Sequence, residues 1–291
     1  MPSTLTTRAR AKVNLNLRVI GRRADGYHEL ESLVAFASVG DTLTLEPAPE
    51  LSLTISGPCG NGLPVDGDNL VLRAARALSG ELGALRWGRF HLVKRLPVAS
   101  GIGGGSADAA GALRLLARLN GLQPTMPALL DVAAKVGADV PVCLESRARL
   151  MMGIGECLGP PLRLPPLFAV LVNPGVPVET VAVFRKLGLQ AGQALSSSRT
   201  LPETNSETAQ DLIAVLSRSG NDLEGPARAV APILDTVLPT LAGLPGCRLA
   251  RMSGSGATCF ALFDDCRASA DAAKSLQRSH PGWWVTPTLL R

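Results

Sequence analysis

Between Pro97 and Ala107 the chain reads Pro97-Val98-Ala99-Ser100-Gly101-Ile102-Gly103-Gly104-Gly105-Ser106-Ala107, so four of the five positions from Gly101 to Gly105 are glycine. Backbone without Cβ atoms can turn successive N–H groups toward one point and let an anion approach closely. The run from Ser106 to Leu119 predicts a helix. Its first N–H groups would lack intrahelical acceptors, and its amino end would carry the positive end of the helix dipole. A glycine turn leading into a helix start suits phosphate. It is not a P-loop, which requires Lys after the last glycine where this chain has Ser106-Ala107. Nor is it a dinucleotide fingerprint, which requires glycine at position 106. A plain strand-to-helix turn is the bland alternative.

Three further groups of residues could do chemistry. Lys12 and Asn14 alternate with Val13 and Leu15, placing a cation and an amide on one face of a predicted strand. Asp139, in Gly137-Ala138-Asp139-Val140-Pro141, falls between a helix end and an apolar strand. Phosphoryl transfer to an alcohol needs positioning, charge neutralisation and a group to accept the hydroxyl proton. An Asp beside Lys12 would supply the last two. Taken singly, the strand residues read first as a solvent face and Asp139 as a turn or cap. Tyr27, the single tyrosine, adjoins His28, one of three histidines; the pair could stack on a base and bond its edge, or simply close a turn. Ser253-Gly254-Ser255-Gly256-Ala257-Thr258 is a second glycine turn, expected to approach the substrate or the first glycine loop, or to be a hairpin bend.

Elements that must position these residues are legible from the pattern. Val13 to Ile20 alternates as a half-buried strand, with strand-like pieces at Ser32–Ala37, Asp41–Leu45 and Leu51–Ser56. Asp68 opens an amphipathic helix, Phe90–Leu96 is a strand, and a helix covers Met126–Val136 with Pro127 in its first turn. Glycines and prolines crowd the interval from Gly153 to Pro166, which predicts a boundary between two lobes, 1–155 and 156–291. Beyond it come a strand at Leu167–Asn173, a helix near Thr180–Leu187 and a polar surface connection at Ser196–Thr208. Helices near Ala209–Arg218 and Ala227–Leu241 follow, then two strands flanking the second glycine turn, a helix and a terminal strand. Strands grouped before helices in each half predict an α+β fold.

Composition excludes several functions. With 291 residues, 46% of them hydrophobic and 18% charged, the chain can bury a substantial core. The net charge of +5 is spread over short pairs such as Arg22-Arg23 and Lys94-Arg95, and aromatic residues make up 3%, so no nucleic-acid partner is expected. Six cysteines without a C-x-x-C pair argue against structural zinc. The absence of a signal-like amino terminus or a membrane-length apolar run gives the expectation of a cytoplasmic setting and no membrane partner.

Taken together, Ala11 to Leu15, Arg23 to Leu30, Pro97 to Ala110, Gly137 to Pro141, Asn173-Pro174-Gly175 and Met252 to Gly256 resemble the GHMP kinase superfamily, named for galactokinase, homoserine kinase, mevalonate kinase and phosphomevalonate kinase. The resemblance spans most of the chain, in the family's order. It implies a two-lobed α+β fold with the active site in the interlobe cleft, and ATP held by residues 97–107. It implies Asp139 as catalytic base with Lys12 beside it, and Asn14 and His28 as substrate contacts. Tyr27 and Phe184 would sandwich a cytosine, with Thr180 nearby. The implied reaction moves phosphate from ATP, with Mg2+ on the nucleotide and no assigned protein ligand, to the 2-hydroxyl of a methylerythritol carried on cytidine diphosphate. The small-molecule alternatives are another alcohol kinase or a diphosphate decarboxylase of the same superfamily; a noncatalytic nucleotide- or RNA-binding module is the reading from another class. One departure stands out: Ser106-Ala107-Asp108 replaces the Ser-Ser-Asn of many members.

Overall fold

A computed structural model describes residues 4–123, 127–195 and 206–291. In chain order its elements are β1 (Leu5–Asn14), β2 (Arg18–Arg22), β3 (His28–Pro47), β4 (Ser52–Ser56), α1 (Leu70–Leu82), β5 (Gly88–Val93), α2 (Gly104–Leu119), α3 (Pro127–Val136) and α4 (Val140–Glu145). They continue with β6 (Arg149–Gly153), β7 (Cys157–Leu158), β8 (Leu167–Asn173), α5 (Thr180–Leu187), α6 (Ala209–Ser217), α7 (Glu224–Val230), α8 (Leu234–Ala242), β9 (Leu249–Met252), β10 (Cys259–Phe263), α9 (Cys266–Ser279) and β11 (Trp284–Leu290). Two compact units share this chain. One comprises Met1–Lys12, Gly40–Val98 and Gly103–Ser146; the other comprises Val13–Val39, Ala99–Ile102 and Arg147–Arg291. They interleave along the sequence, whereas the expected boundary is a single cut after residue 155.

In the first unit the end of β3 pairs antiparallel with β5, from Thr42 opposite Val93 to Pro47 opposite Gly88, and β4 pairs parallel with β5. Period-two alternation buries Leu43 and Leu45 on β3 against the buried Leu92 and Phe90 directly opposite. Helix α2 packs against α1, α3 and α4. Its small residues, Ala107, Ala109, Ala110, Gly111 and Ala112, are buried on nearly every side, which lets neighbouring helices approach. Asn69 caps α1, its side-chain oxygen accepting from Val71 N at 2.9 Å, one position after the expected Asp68.

The second unit holds the sheet order β3-β11-β8-β10-β9, each pair antiparallel. β8 is buried along almost its whole length, as the apolar run Leu167 to Val172 requires. β6 pairs with β3 from Leu30 opposite Gly153 to Val34 opposite Arg149. Antiparallel pairing throughout this sheet, with a parallel β4–β5 pair in the other unit, is the expected α+β arrangement.

Several elements differ from the sequence expectation, each for a local reason. Val13–Ile20 is not one strand: the chain breaks between β1 and β2, where Asn16 is fully buried and its side-chain oxygen accepts from Leu33 N at 2.7 Å. A side chain there takes over a bond that a ladder would have made. The two pieces at Ser32–Ala37 and Asp41–Leu45 form one strand through Gly40, where an added Cβ would lie 2.8 Å from Arg10 Cα. Asp139 precedes a short helix, α4, and not a strand; Pro141 is tolerated in that helix's first turn. The Ala227–Leu241 helix is two, α7 and α8, parted where Pro232 removes a donor. Met126 and most of the Ser196–Thr208 connection lie outside the described residues.

Candidate active site

The glycine turn begins where β5 has ended. Gly103 is the residue before α2 and adopts a left-handed conformation (φ 63°, ψ 24°), which glycine reaches without a Cβ penalty. The first helical bond runs from Ala107 N to Gly103 O at 2.8 Å. The amides of Gly104, Gly105 and Ser106 precede it and so have no intrahelical acceptor, the arrangement that binds anions. Gly105 is exposed and Ser106 half-buried, while Gly104 and Ala107 are buried. Upstream, Pro97 is half-buried, Val98 and Ala99 are exposed, and Ala99 takes a positive φ of 49°. Helix α2 therefore starts two residues before the expected Ser106.

Beside this turn, Lys12 Nζ lies 2.8 Å from Asp139 Oδ2. A Cβ at Gly103 would sit 3.4 Å from Lys12 Cβ and 3.9 Å from Asp139 Oδ2, so the turn and the ion pair are in contact. Asp139 occupies the capping position of α4 yet makes no capping hydrogen bond there. Its carboxylate is committed to the lysine. Lys12 and Asp139, 127 positions apart in sequence, are thus brought together as expected.

A second charged group in this unit escapes sequence reasoning. Lys94 Nζ contacts Asp41 Oδ2 at 2.5 Å and Asp108 Oδ2 at 2.6 Å, all three side chains being almost wholly buried. Asp41 Oδ1 also accepts from Arg95 N and Leu96 N, fixing the segment that enters the glycine turn. Burial opposes the Lys94 charge, but the two carboxylates outweigh it and hold the ammonium above its ordinary value. In sequence, Lys94 is half of a basic pair with Arg95 and Asp41 opens a strand. The one usable signal is Asp108 itself, an acid inside a helix of small apolar residues.

In the second unit the two glycine turns clasp each other. Ser253 Oγ donates to Gly101 O at 3.1 Å and accepts from Asn14 N at 3.0 Å, while Thr258 N donates to Ser100 O at 3.0 Å. Gly101 has φ 73°, and a Cβ on it would fall 2.5 Å from Ser253 O. Ile102 beside it is fully buried. Asn221 braces the second turn, its Nδ2 donating to Met252 O at 2.9 Å and Gly254 O at 2.8 Å. Close approach to the first glycine loop was one expected role of this turn, and the geometry selects it. Asn14 is buried and donates from Nδ2 to Ser32 Oγ at 2.7 Å; its Oδ1 has no partner among the described residues. Such an acceptor suits a ligand hydroxyl.

The same unit contains a cavity of about 650 Å³ lined in part by Arg22, Tyr27, His28, Thr180, Phe184 and Arg185. The Asp25-Gly26-Tyr27 segment closes the hairpin between β2 and β3, with Tyr27 N donating to Asp25 Oδ1 and Gly26 at φ 90°. That turn leaves Tyr27 61% exposed. His28 stacks on Phe184, ring centroids 4.5 Å apart and planes 22° from parallel. Its Nε2 is buried without a partner among the described residues. Burial, helped by Arg22, lowers its pKa, so the ring is neutral near pH 7. Thr180 begins α5 and shares a 2.8 Å hydrogen bond with Ser255 Oγ. The aromatic neighbour that Phe184 meets is thus His28, while Tyr27 stands open at the cavity's rim. These groups can receive a flat, polar-edged ring.

Comparison with known proteins shows the family. Residues 69–147 match the family described as GHMP kinases N terminal domain, and residues 200–282 match GHMP kinases C terminal. The chain is 60% identical to the 4-diphosphocytidyl-2-C-methyl-D-erythritol kinase of Methylobacterium radiotolerans, covering 99% of each sequence. It is 55% identical to the enzyme of the same name from Xanthobacter autotrophicus, again over 99% of each. Among solved structures, a 4-(cytidine 5'-diphospho)-2C-methyl-D-erythritol kinase superposes with a TM-score of 0.78 at 36% identity, covering 98% of this chain and 99% of that one. Homoserine kinase from Cytophaga hutchinsonii shares the fold, with a TM-score of 0.71 at 20% identity, covering 99% of this chain and 95% of that one.

Proposed function

The chain belongs to the 4-diphosphocytidyl-2-C-methyl-D-erythritol kinases of the GHMP superfamily, and from that premise we propose how its residues act. It transfers the γ-phosphoryl group of ATP to the 2-hydroxyl of 4-diphosphocytidyl-2-C-methyl-D-erythritol, giving the 2-phosphate and ADP, in isoprenoid-precursor synthesis. The observation that carries the mechanism is the Lys12–Asp139 pair in contact with Gly103. Asp139 accepts the proton as the substrate oxygen attacks phosphorus, and the bond from phosphorus to the ADP oxygen breaks. Lys12 balances the charge on the carboxylate and on the transferring group. Residues 97–107 hold the nucleotide, the amides of Gly104, Gly105 and Ser106 facing its phosphates. Asn14 receives a hydroxyl of the methylerythritol, and Tyr27, His28, Thr180 and Phe184 hold the cytosine.

Mg2+ enters with ATP as part of the substrate. Among the described residues no group of three or more His, Cys, Asp or Glu side chains could hold a metal ion. The buried Asp108 is already committed to Lys94. The ion would be held chiefly by the nucleotide's phosphates and by water. In this reading residues 1–155 carry the ATP-binding and catalytic roles, with Asn14, Tyr27 and His28 reaching the substrate from the same lobe, and 156–291 is the GHMP-type substrate lobe; the two family matches fall on either side of that division. The setting is cytoplasmic; no helix among the described residues is long and apolar enough to cross a membrane.

The deciding experiment incubates purified protein with Mg2+-ATP and 4-diphosphocytidyl-2-C-methyl-D-erythritol and follows ADP. Substrate-dependent ADP formation with one phosphate gained at the 2-position is expected. Background ADP with this substrate, alongside phosphorylation of another alcohol, would overturn the acceptor assignment.

A further inference from the structure

Bordering the first turn of α2 is a cluster that no step of the transfer uses. Lys94, Asp41 and Asp108 are 4%, 0% and 5% exposed, and two carboxylates share one ammonium. Asp41 is fully engaged, one oxygen on Lys94 and the other on two backbone amides. Asp108 is not. Its Oδ2 accepts from Lys94, while its Oδ1 is buried with no hydrogen-bond partner among the described residues. Fully ionised, the cluster would hold a net charge of about −1 out of water, an arrangement that costs free energy unless a proton neutralises it. The unpartnered oxygen is where that proton would go. Burial, with a smaller push from Asp41 and opposed by Lys94, raises the Asp108 pKa to about 7. The cluster also touches the turn: a Cβ on Gly104 would lie 3.2 Å from Lys94 Nζ.

We propose that Asp108 is a positioning residue of the phosphate-binding turn, and that it takes up a proton from solvent on Oδ1 when a nucleotide's phosphates occupy that turn. The proposal rests on the assignment of those amides to phosphate. An anion arriving within a few ångströms, through buried backbone, raises the proton affinity of a nearby carboxylate. Linkage is reciprocal, so nucleotide affinity rises as the pH falls through the Asp108 range. Among the described residues the charged partner of Asp108 is Lys94, which also holds Asp41, and the Cys59 thiol feels the charge of both of these. β3 contributes Asp41, the segment after β5 contributes Lys94, and α4 contributes Cys143, whose thiol is pushed up to about 12, chiefly by burial. Arg73, Arg76 and Glu81 on α1, Asp131 and Lys135 on α3, and Glu145 on α4 lie on exposed surface, while Lys12 and Asp139 pair with each other beside Gly103.

The test is calorimetric titration of the whole chain with Mg2+-ADP, at about pH 7.5, in buffers of different ionisation enthalpy, which counts protons exchanged on binding. Wild type should take up a fraction of a proton more than Asp108→Asn, because the nucleotide's own ionisation is common to both and cancels. Asn is isosteric with the protonated acid, so the variant's affinity should stay nearly flat from pH 6.5 to 8.5. Wild-type affinity should weaken by up to about tenfold for each unit by which binding shifts the Asp108 pKa. Asp108→Ser serves in the same comparison should the Asn variant not fold. Equal proton counts with nucleotide binding intact would overturn the linkage alone. Failure of wild type to bind Mg2+-ADP would overturn the phosphate assignment, and the linkage with it.

Discussion

The ion pair between Lys12 and Asp139 is unequal in its exposure: the lysine side chain is 5% exposed and the aspartate 33%, at an N–O distance of 2.8 Å. The cation is sealed in while one face of the carboxylate stays open. A hydroxyl can therefore reach the carboxylate without displacing the ammonium that steadies it.

Replacing that acid should abolish turnover with little effect on nucleotide affinity. Asp139→Asn is expected to lower kcat by roughly two to four orders of magnitude, the range general-base removal spans. Steady-state kinetics beside calorimetric titration with ADP separates the two quantities. Near-normal kcat would remove Asp139 from the chemistry.

The cavity proposed for cytosine should respond in KM and not in kcat. Phe184→Ala takes away the ring on which His28 stacks and should raise the substrate KM by about five- to a hundredfold, the worth of one base-stacking contact. Tyr27→Ala, at the exposed rim, should have the smaller effect of the two. The KM values of both variants, measured at saturating ATP, would contradict the reading if they equalled wild type.

Gly101→Ala should damage the clasp between the glycine turns. Its φ of 73° disfavours any side chain, and the added Cβ would lie 2.5 Å from Ser253 O and 2.8 Å from Gly256 N. Backbone strain alone costs about 1–3 kcal/mol, before the clash is counted. A fall in Tm with a raised KM for ATP is expected; an unchanged Tm would mean the turns separate freely.

His28 makes stability depend on pH. Its folded pKa lies below the ordinary 6.5, because burial and then Arg22 oppose the charged ring. The folded chain then binds fewer protons than the unfolded chain below about pH 6.5, so this contribution is complete above that pH and is lost as the pH falls through 6.5 toward the lowered value. His28→Gln lacks a titrating ring and should lose less Tm than wild type between pH 7.5 and 5.5. Parallel Tm curves would refute this.

Thiol reactivity should sort by burial. Cys157 and Cys266 are exposed, whereas Cys143 and Cys259 are buried with pKa values raised mainly by desolvation. A disulfide reagent at about pH 8 should label the exposed pair quickly and reach Cys143 and Cys259 only after denaturant is added. Fast labelling of Cys143 in the native protein, mapped by mass spectrometry, would show that α4 opens.

The parts of this protein that could be read from sequence are those fixed by local chemistry. Glycines at 101 and 103–105 announce a turn, β8 and α5 begin and end where the apolar pattern says, and the Asp25-Gly26-Tyr27 turn follows from its residue types. The charged cluster was illegible because its members come from three separate segments, each ordinary on its own: Asp41 in a strand, Lys94 in a basic pair, Asp108 in a helix. Asn16 and Asn221 were missed for a related reason. Their side chains replace backbone partners at breaks in regular structure, and a period count registers only the break. Asp139 was expected to precede a strand because Val140, Val142 and Leu144 are apolar; they are buried along a short helix.

The sheet order of the second unit bears on how the chain comes to be folded. β11, the last of these strands in chain order, lies between β3 and β8, with Leu290 opposite Ala37 and Arg291 N donating to Phe36 O at 3.1 Å. Those edges must therefore wait unpaired, on β3 while about 250 residues follow Ala37 and on β8 while about 110 follow Asn173. Pairings of such sequence separation are slow to form and leave hydrophobic strand edges open meanwhile. Nascent chains of this protein would be clients for chaperones until β11 emerges, and overexpression that outruns them would favour aggregation over the native sheet.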